Sequence, residues 1–330
     1  MTIKRPGPPV WILPALALVL QGCVFANIDL QPEKKPYTET LVRAGSGGKV
    51  ALIDVTGVIS NEPPPRFLLG GSSESMMKKV VDQLQLAGSD PDVTAVVLAI
   101  DSPGGSVTAS DILYREVRRL RDRGKVVVAS LMDTAASGGL YLAVGCDRIV
   151  AHPTTLTGSI GVILQTYDLS GLLDKVGVKV TPIKSAARKD IVSPFRPMTD
   201  KEREILKEMV DELYEVFLAR ILEGRPKLTM PALKRIADGR VFSGTKAKSY
   251  GLVDDIGYLD DALALAGKLG GAPGASVVRY HRPAEAIDSI YSRRAAGERS
   301  ELDLGLALAR VLGPVRPGLY YLWAPGNAGR

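Results

Sequence analysis

The chain has 330 residues and a net charge of +6, with 45% hydrophobic and 24% charged residues, which is ordinary for a globular protein that buries a core. The positive charge is not gathered into a basic patch, so the sequence gives no indication of nucleic-acid binding. Two cysteines without a C-x-x-C motif and two histidines outside any metal motif exclude a disulfide framework and a recognisable metal site.

The N-terminus has the pattern of an export signal. Two basic residues precede the apolar run Val10–Leu20, which is shorter than the about 20 residues of a membrane-spanning helix. The run ends in LQGC, which resembles a bacterial lipobox ending at Cys23. We therefore expect residues 1–22 to be removed as a signal peptide and acyl chains on Cys23 to hold the protein on a membrane. An ordinary secretory signal with an incidental cysteine is the alternative.

Residues 23–48 are mostly polar and contain Pro and Gly, which predicts a tether. From Lys49 onward, continuous apolar runs alternate with segments of helical spacing. The strand-like runs are KVALIDVTGVI, VTAVVLAID, KVVVASLM and DRIVA; the helical segments are SSESMMKKVVDQLQLAG, VTASDILYREVRRLRDRG and a short one that begins at Ser137. This alternation predicts an α/β fold with a mainly parallel sheet.

A long helix is predicted after residue 198. Thr199 and Glu202 have capping-box spacing at its start, and its apolar stripe consists of Ile205, Met209, Leu213 and Val216. Packing in the core is the simpler explanation for the stripe, and subunit assembly is the alternative. The run GGAPGA then separates a domain at 49–270 from a C-terminal extension at 271–330.

Two glycine-rich turns follow buried strands. Ser137 begins a helix in the segment AASGG, and the first turn of a helix has unpaired N–H groups and a partial positive charge. A nucleophile there is exposed, and the N–H of Gly138 could stabilise an oxyanion. The turn DSPGGSV offers further donors at Gly104 and Gly105. Because the carboxyl ends of parallel strands share one edge of a sheet, we expect both turns to lie together.

A serine nucleophile needs a base. His152 and His281 have no acidic partner in motif form, which disfavours a histidine base without excluding one. A lysine can act as the base only when its amine is neutral, which requires desolvation or positive neighbours. Lys189 is the candidate. Its neighbour Arg188 would disfavour the charged form of the amine, and its neighbour Asp190 would favour it.

Five motifs occur in order along the chain: DSPGGSV, TAASGGLYLA, TGSIGV, KDIVSPFRPMT and GRVFSGTKAKSYGLVDDIG. Together they resemble the bacterial signal peptide peptidase A family of membrane-bound serine peptidases, over about Lys49 to Gly270. The resemblance implies a Clp protease–crotonase type of fold, with repeated ββα and βα units, helical assembly elements and no cofactor. It implies Ser137 as the nucleophile, Lys189 as the general base, the P-G-G turn as the oxyanion region, and Ser159 as a hydrogen-bonding partner that orients the lysine.

The implied function is a membrane-anchored endopeptidase on the non-cytoplasmic side of the cell envelope. It would degrade cleaved signal peptides and other apolar or unfolded peptides, as a homo-oligomer with each dyad near or shared across an interface. A crotonase-type thioester enzyme is disfavoured by the export signal. A non-catalytic peptide-binding lipoprotein would have no need of Ser137 and Lys189.

The C-terminal segment GLYYLWAPG places three aromatic residues close to the end of the chain. Such an apolar tail could pack on a neighbouring subunit, contact the membrane, or enter the peptide groove as a self-substrate. Packing is the interpretation that we favour from the sequence.

Overall fold

The computed structural model describes residues 36–63, 74–282, 289–291 and 318–323. Cys23 and the predicted signal peptide lie outside these ranges. The described strands are β1 Thr38–Arg43, β2 Lys49–Thr56, β3 Val93–Ser102, β4 Gly104–Ser106, β5 Val126–Ala136, β6 Arg148–Ala151, β7 Leu156–Gly158, β8 Ile163–Gln165, β9 Val241–Ser243, β10 Asp255–Ile256, β11 Ser276–His281 and β12 Gly318–Leu322. The described helices are α1 Met76–Ser89, α2 Val107–Asp122, α3 Gly138–Ala143, α4 Ser170–Lys175, α5 Asp200–Gly224, α6 Met230–Lys234, α7 Gly244–Ser249 and α8 Leu259–Leu269.

The main sheet has the strand order β1-β11-β2-β3-β5-β6-β10, with β7 beside the end of β5 and β9 beside β7. Most neighbouring strands are parallel; the antiparallel pairs are β1 with β11 and β7 with β9. The α/β class with a mainly parallel sheet, predicted from the alternation of elements, is confirmed.

Both faces of the sheet are covered, which explains the continuous apolar runs. In β2, Ala51 and Ile53 belong to the larger core cluster, which also holds side chains of α1, α2, α3 and α5. Val50 and Leu52 point to the opposite face and pack in a second cluster with α8. Since successive residues of a strand face opposite sides, each must be apolar when helices lie on both.

Two strands of the sheet lie outside the limits of 49–270 that the sequence predicted for the folded domain. The stretch Thr38–Arg43, within the predicted tether, forms β1, and Ser276–His281, within the predicted extension, forms β11. β1 is an edge strand in which four of the six residues are exposed and four are polar, so it has the composition of a linker. β11 follows the glycine-rich turn that suggested a boundary, yet it pairs with both β1 and β2.

Helix α5 begins with the predicted capping box, in which Thr199 and Glu202 each accept the other's backbone N–H. Its buried apolar residues are Leu206, Phe217, Leu218 and Ile221. The predicted stripe is therefore not the buried face, because Met209 and Val216 are 43% and 38% exposed. Among the described helices, none has both the length and the apolar character that crossing a membrane requires.

A second, three-stranded sheet stands beside the main one. β12 lies in its middle and pairs antiparallel with β4 on one side and with β8 on the other. The C-terminal strand thereby contacts the turn that contains Gly104 and Gly105.

Candidate active site

Ser137 lies at the junction between β5 and α3. Its backbone has φ 50° and ψ −113°, a conformation that non-glycine residues adopt only at an energetic cost. The residue is 1% exposed, and its Oγ has no hydrogen-bond partner in the described part of the chain. A buried hydroxyl that is left unpaired on a strained turn is poorly explained by stability alone, since buried polar groups are normally hydrogen-bonded.

The glycine-rich turns at Gly104 and at Ser137 lie side by side, as we predicted from their position at the same edge of the sheet. Ser102 at the end of β3 pairs with Ala135 near the end of β5. A methyl group placed on Gly104, which has φ +100°, would lie 2.7 Å from the Gly138 nitrogen. Glycine is therefore required at this position by both the backbone angle and the close approach of the neighbouring turn.

Ser102 holds the turn that contains Gly104 through two hydrogen bonds. Its Oγ donates to the Gly57 carbonyl at 2.6 Å and accepts the Gly104 N–H at 3.1 Å. The Gly104 N–H is thus already engaged, which leaves Gly138 and Gly105 as the better candidates for oxyanion donors. The Ser102 side chain fixes the conformation of the turn, and it was not singled out by the sequence because a strand-end serine has no distinctive pattern.

Ser159 is next to the nucleophile candidate. β7 pairs with the end of β5, and the Ser137 N–H donates to the Gly158 carbonyl at 2.8 Å. Ser159 itself has φ 49° and is 7% exposed, and its N–H donates to the Arg240 carbonyl at 2.7 Å. The two serines that the sequence placed in one site are therefore brought together, each on a strained backbone.

Lys189 is not part of this cluster. It lies on an exposed turn, and the absence of any described partner for Ser137 Oγ means that the amine does not hydrogen-bond to the hydroxyl. The same turn contains Val192 with φ 68°, a strained conformation for a β-branched residue. No local sequence signal predicts that strain.

Arg196 fixes the turn that contains Lys189. Its guanidinium donates to both carboxylate oxygens of Asp190 at 2.9 Å and to Glu202 at 2.5 and 2.9 Å. Hydrogen bonds from Arg196 and Lys184 lower the pKa of Asp190 below its ordinary range. The Asp190 carboxylate is thus paired with Lys184 and Arg196, and neither of these pairs involves the neighbouring Lys189.

Neither histidine forms a triad with Ser137. The His152 ring bonds to Thr154 Oγ1 at 2.7 Å and packs edge-on against Tyr258. The His281 ring on β11 bonds to Thr40 Oγ1 on the edge strand β1 at 2.6 Å. A histidine base for Ser137 receives no support from this geometry.

Comparisons with known proteins agree with the fold. A family model described as peptidase family S49 matches residues 119–272, and one described as Clp protease matches residues 58–156. A protein of Synechocystis sp. named as a protease is 39% identical over 225 residues, 68% of this chain and 75% of that protein. An Enterococcus faecium protein that carries the name signal peptide peptidase SppA is 35% identical over 242 residues, 73% of this chain and 70% of that protein.

Among solved structures, a ClpP1 variant from Listeria monocytogenes matches with a TM-score of 0.42 and 18% identity, over 64% of this chain and 94% of that one. A strained serine between a strand and a helix on a mostly parallel sheet is an arrangement of serine hydrolases, and the matching families are peptidases with a Clp protease type of fold. The chain belongs to peptidase family S49 and is a serine peptidase, so the resemblance drawn from its motifs is confirmed.

Proposed function

We propose that the protein is a membrane-anchored endopeptidase that uses Ser137 as nucleophile and Lys189 as general base to degrade signal-peptide remnants and other apolar or unfolded peptides. The observation that carries the proposal is the buried, unpartnered Ser137 Oγ beside a glycine turn. Lipidation of Cys23 would supply the anchor and keep the catalytic domain on the non-cytoplasmic side of the envelope. These features rest on the export signal and on the motif resemblance.

The reaction is an acyl transfer. The neutral Lys189 amine accepts the proton of Ser137 Oγ, and the oxygen attacks the carbonyl carbon of the peptide bond. The N–H groups of Gly138 and of the 104–105 turn hold the resulting oxyanion. The carbon–nitrogen bond then breaks, the leaving amine takes the proton from Lys189, and water hydrolyses the Ser137 ester by the reverse sequence.

This mechanism requires Lys189 to reach a desolvated position against Ser137. In the single chain the lysine side chain is exposed, and it makes no hydrogen bond to Ser137 Oγ. The segment 169–195 that contains it also exposes several apolar side chains, including Leu172 at 58% and Ile183 at 102%. We infer that a second copy of the chain covers this segment and completes the dyad, with Lys189 supplied by either copy.

The test is hydrolysis of fluorogenic peptides with apolar side chains by the mature protein. We expect Ser137→Ala and Lys189→Ala each to lower kcat by about three to six orders of magnitude. Lys227→Ala is the matched control, because Lys227 is an exposed lysine outside segment 169–195, and the activity of this variant should equal that of the wild type. Activity that survives Lys189→Ala would refute the lysine base.

A further inference from the structure

The two proposed oxyanion donors belong to different elements of the fold. The Gly138 N–H lies at the first residue of α3, and the Gly105 N–H lies in β4, which leads directly into α2. A donor stabilises an oxyanion only when it lies about 2.7–3.1 Å from that oxygen. The distance between the two donors therefore depends on how α3 is held against α2.

Helix α3 has little that fixes it from within. It has six residues, whereas an isolated helix needs about 12–15 residues to be stable in water. Ser137 is its N-cap residue, yet the Ser137 side chain makes no capping hydrogen bond to the first turn. The position of α3 is therefore set by contacts with neighbouring elements.

Two consecutive residues of α2 contact α3. Ser110 is fully buried against its first residue, since a methyl group on Gly138 would lie 2.5 Å from Ser110 Oγ. Asp111 accepts a hydrogen bond from the Tyr141 hydroxyl at 2.6 Å, and the Tyr141 N–H donates to the Ser137 carbonyl at 2.8 Å. Tyr141 thus joins α2 to the residue that carries the nucleophile candidate.

The Tyr141 ring is buried, and its hydroxyl gives the contact a direction. The ring packs edge-on against Tyr114 of α2 at a centroid distance of 5.5 Å and against Phe217 of α5 at 5.0 Å. Burial, and then the hydrogen bond to Asp111, raise the pKa of the Tyr141 hydroxyl above its ordinary range, so it stays a donor at neutral pH. Apolar packing is non-directional, whereas a hydrogen bond to a carboxylate fixes an orientation.

The Asp111 carboxylate contributes more to orientation than to stability. Its side chain is 45% exposed, and its ion pair with Arg220 of α5 has a distance of 3.8 Å from Nε to Oδ1. Exposed ion pairs of this kind contribute about 0–1 kcal/mol to stability. Loss of the carboxylate should therefore leave the fold intact while it frees the Tyr141 hydroxyl.

We propose that Tyr141 is a positioning residue for peptide hydrolysis, whose hydrogen bond to Asp111 fixes α3 against α2 and so sets the distance between the Gly138 and Gly105 N–H groups. The proposal rests on the proposed peptidase function, because these donors have a role only if Ser137 attacks a carbonyl.

Tyr141→Phe keeps the ring and removes the hydrogen bond. In hydrolysis of fluorogenic apolar peptides we expect kcat to fall about 10- to 100-fold, with KM changed by less than about twofold. Asp111→Ala should cause the same loss, and Asp111→Asn, whose amide oxygen still accepts a hydrogen bond, should recover most of kcat. Since both partners act through one bond, the double variant of Tyr141→Phe with Asp111→Ala should be no slower than either single variant.

Tyr291→Phe is the matched control. The Tyr291 hydroxyl also donates to an aspartate, Asp260, at 3.0 Å. Its neighbour Ile290 packs in the core cluster with α8, on the opposite face of the sheet from the cluster that contains Tyr141. This variant should leave kcat unchanged, and an equal loss of kcat in both variants would overturn the role of Tyr141.

A peptide aldehyde separates positioning from a merely structural role. Ser137 Oγ adds to the aldehyde carbon, the hydroxyl proton passes to the Lys189 amine, and the former carbonyl oxygen becomes an oxyanion. In Tyr141→Phe the inhibition constant of the aldehyde should rise by the same factor by which kcat/KM falls. The dissociation constant of the corresponding uncleaved peptide, measured in the Ser137→Ala chain, should be the same with and without Tyr141→Phe.

An unchanged kcat in Tyr141→Phe, or a lower kcat without weaker inhibition by the aldehyde, would overturn the proposal. If Tyr141→Phe does not fold, Asp111→Ala and Asp111→Asn provide the same comparison from a half-exposed position. A wild-type protein that neither hydrolyses peptides nor binds the aldehyde would instead overturn the proposed function, and with it the role of the pair.

Discussion

Three residues other than glycine have positive φ in the described part of the chain: Ser137, Ser159 and Val192. Each such conformation costs about 1–3 kcal/mol and persists only where the surrounding structure imposes it. All three lie in motifs that the sequence assigned to the site: S-G-G, T-G-S-I-G-V and K-D-I-V-S-P. Strained backbone at these three positions supports the proposal that the motifs are held in place for chemistry.

Gly104→Ala should lower both the stability of the protein and its kcat. The substitution combines left-handed strain of about 1–2 kcal/mol with a methyl group that would lie 2.0 Å from the Tyr321 oxygen and 2.7 Å from the Gly138 nitrogen. We expect kcat to fall at least about 100-fold, the loss typical of a missing oxyanion donor, because the methyl group would displace the neighbouring N–H group of Gly138. Peptide hydrolysis and thermal unfolding measure the two effects.

Gly124→Ala is the matched control for that substitution. Gly124 also has positive φ, at +81°, but a methyl group there meets nothing within 4 Å. Gly124→Ala should lower the free energy of unfolding only by the backbone strain of about 1–2 kcal/mol, and kcat should be unchanged. Similar losses of kcat in both variants would mean that the Gly104 turn has no special role.

At the scale of elements, the turn with Lys189 is attached to the start of α5. Arg196 joins Asp190 of the turn to Glu202, and Glu202 closes the capping box with Thr199. One guanidinium thereby links the orientation of a loop to the N-terminus of a 25-residue helix. An arginine suits this role because its planar fork can bind two carboxylates at once.

Arg196→Gln should lower kcat by about 10- to 100-fold, because misplacement of a catalytic group by about 1 Å costs on that order. KM should change little, since the described hydrogen bonds of Arg196 go to Asp190, Pro197 and Glu202 and not to Ser137 or the glycine turns. Lys207→Gln, which removes an exposed pair with Asp211 on the same helix, should leave kcat unchanged. An unaltered kcat in Arg196→Gln would show that the turn is positioned by other contacts.

The same ion pairs predict a dependence of stability on pH. Hydrogen bonds from Arg196, and then from the Thr199 backbone, lower the pKa of Glu202 from 4.5 to about 2. A carboxylate with a lowered pKa stabilises the fold above its unfolded pKa, and the contribution is lost as the pH falls through the folded value. The wild-type melting temperature should therefore drop between about pH 4.5 and pH 2.

Thermal unfolding of wild type and Arg196→Gln across that range provides the measurement. The difference between the two melting temperatures should be largest above pH 5 and should shrink as Glu202 and Asp190 become protonated. A difference that stays constant down to pH 2 would contradict the assignment of these carboxylates.

Local sequence patterns were sufficient to predict the central strands β2, β3, β5 and β6 and the capping box, because these depend on residues close in sequence. The meeting of the two glycine turns could be predicted because both follow strands that end at the same edge of a parallel sheet. Local patterns were insufficient for β1, β11 and β12, whose pairing is decided by packing between distant parts of the chain. They also did not reveal that Lys189 is separated from Ser137 in a single chain, since spacing along a sequence gives no distance in space.

On the scale of the whole molecule, segment 169–195 is an exposed apolar surface. Its exposed apolar residues are Leu169, Leu172, Val176, Val178, Val180, Ile183 and Phe195. A segment that exposes this many apolar side chains in a globular protein is typical of an interaction site. The homo-oligomer implied by the motif resemblance would bury it.

Ile183→Glu should therefore weaken self-association by at least about tenfold, because the charge would have to be desolvated in the interface. Activity should fall in parallel if assembly completes the dyad. Leu86→Lys, at a 39% exposed position on α1, should alter neither property. Sedimentation velocity over a concentration series measures the self-association, and activity is assayed on the same samples. An unchanged oligomer in Ile183→Glu would exclude this surface as the subunit interface.

The position of β11 has a consequence for biosynthesis. β11 lies between β1 and β2 in the sheet although it follows both by most of the length of the chain. A ribosome must therefore translate beyond His281 before β1 can be attached and the free edge of β2 can be covered. Until then the nascent chain exposes the unpaired edge of the apolar strand β2, which is a template for aggregation. Folding thus depends on prompt synthesis of β11, the last strand of the main sheet, and a message truncated before Ser276 would encode a product in which this edge of β2 stays unpaired.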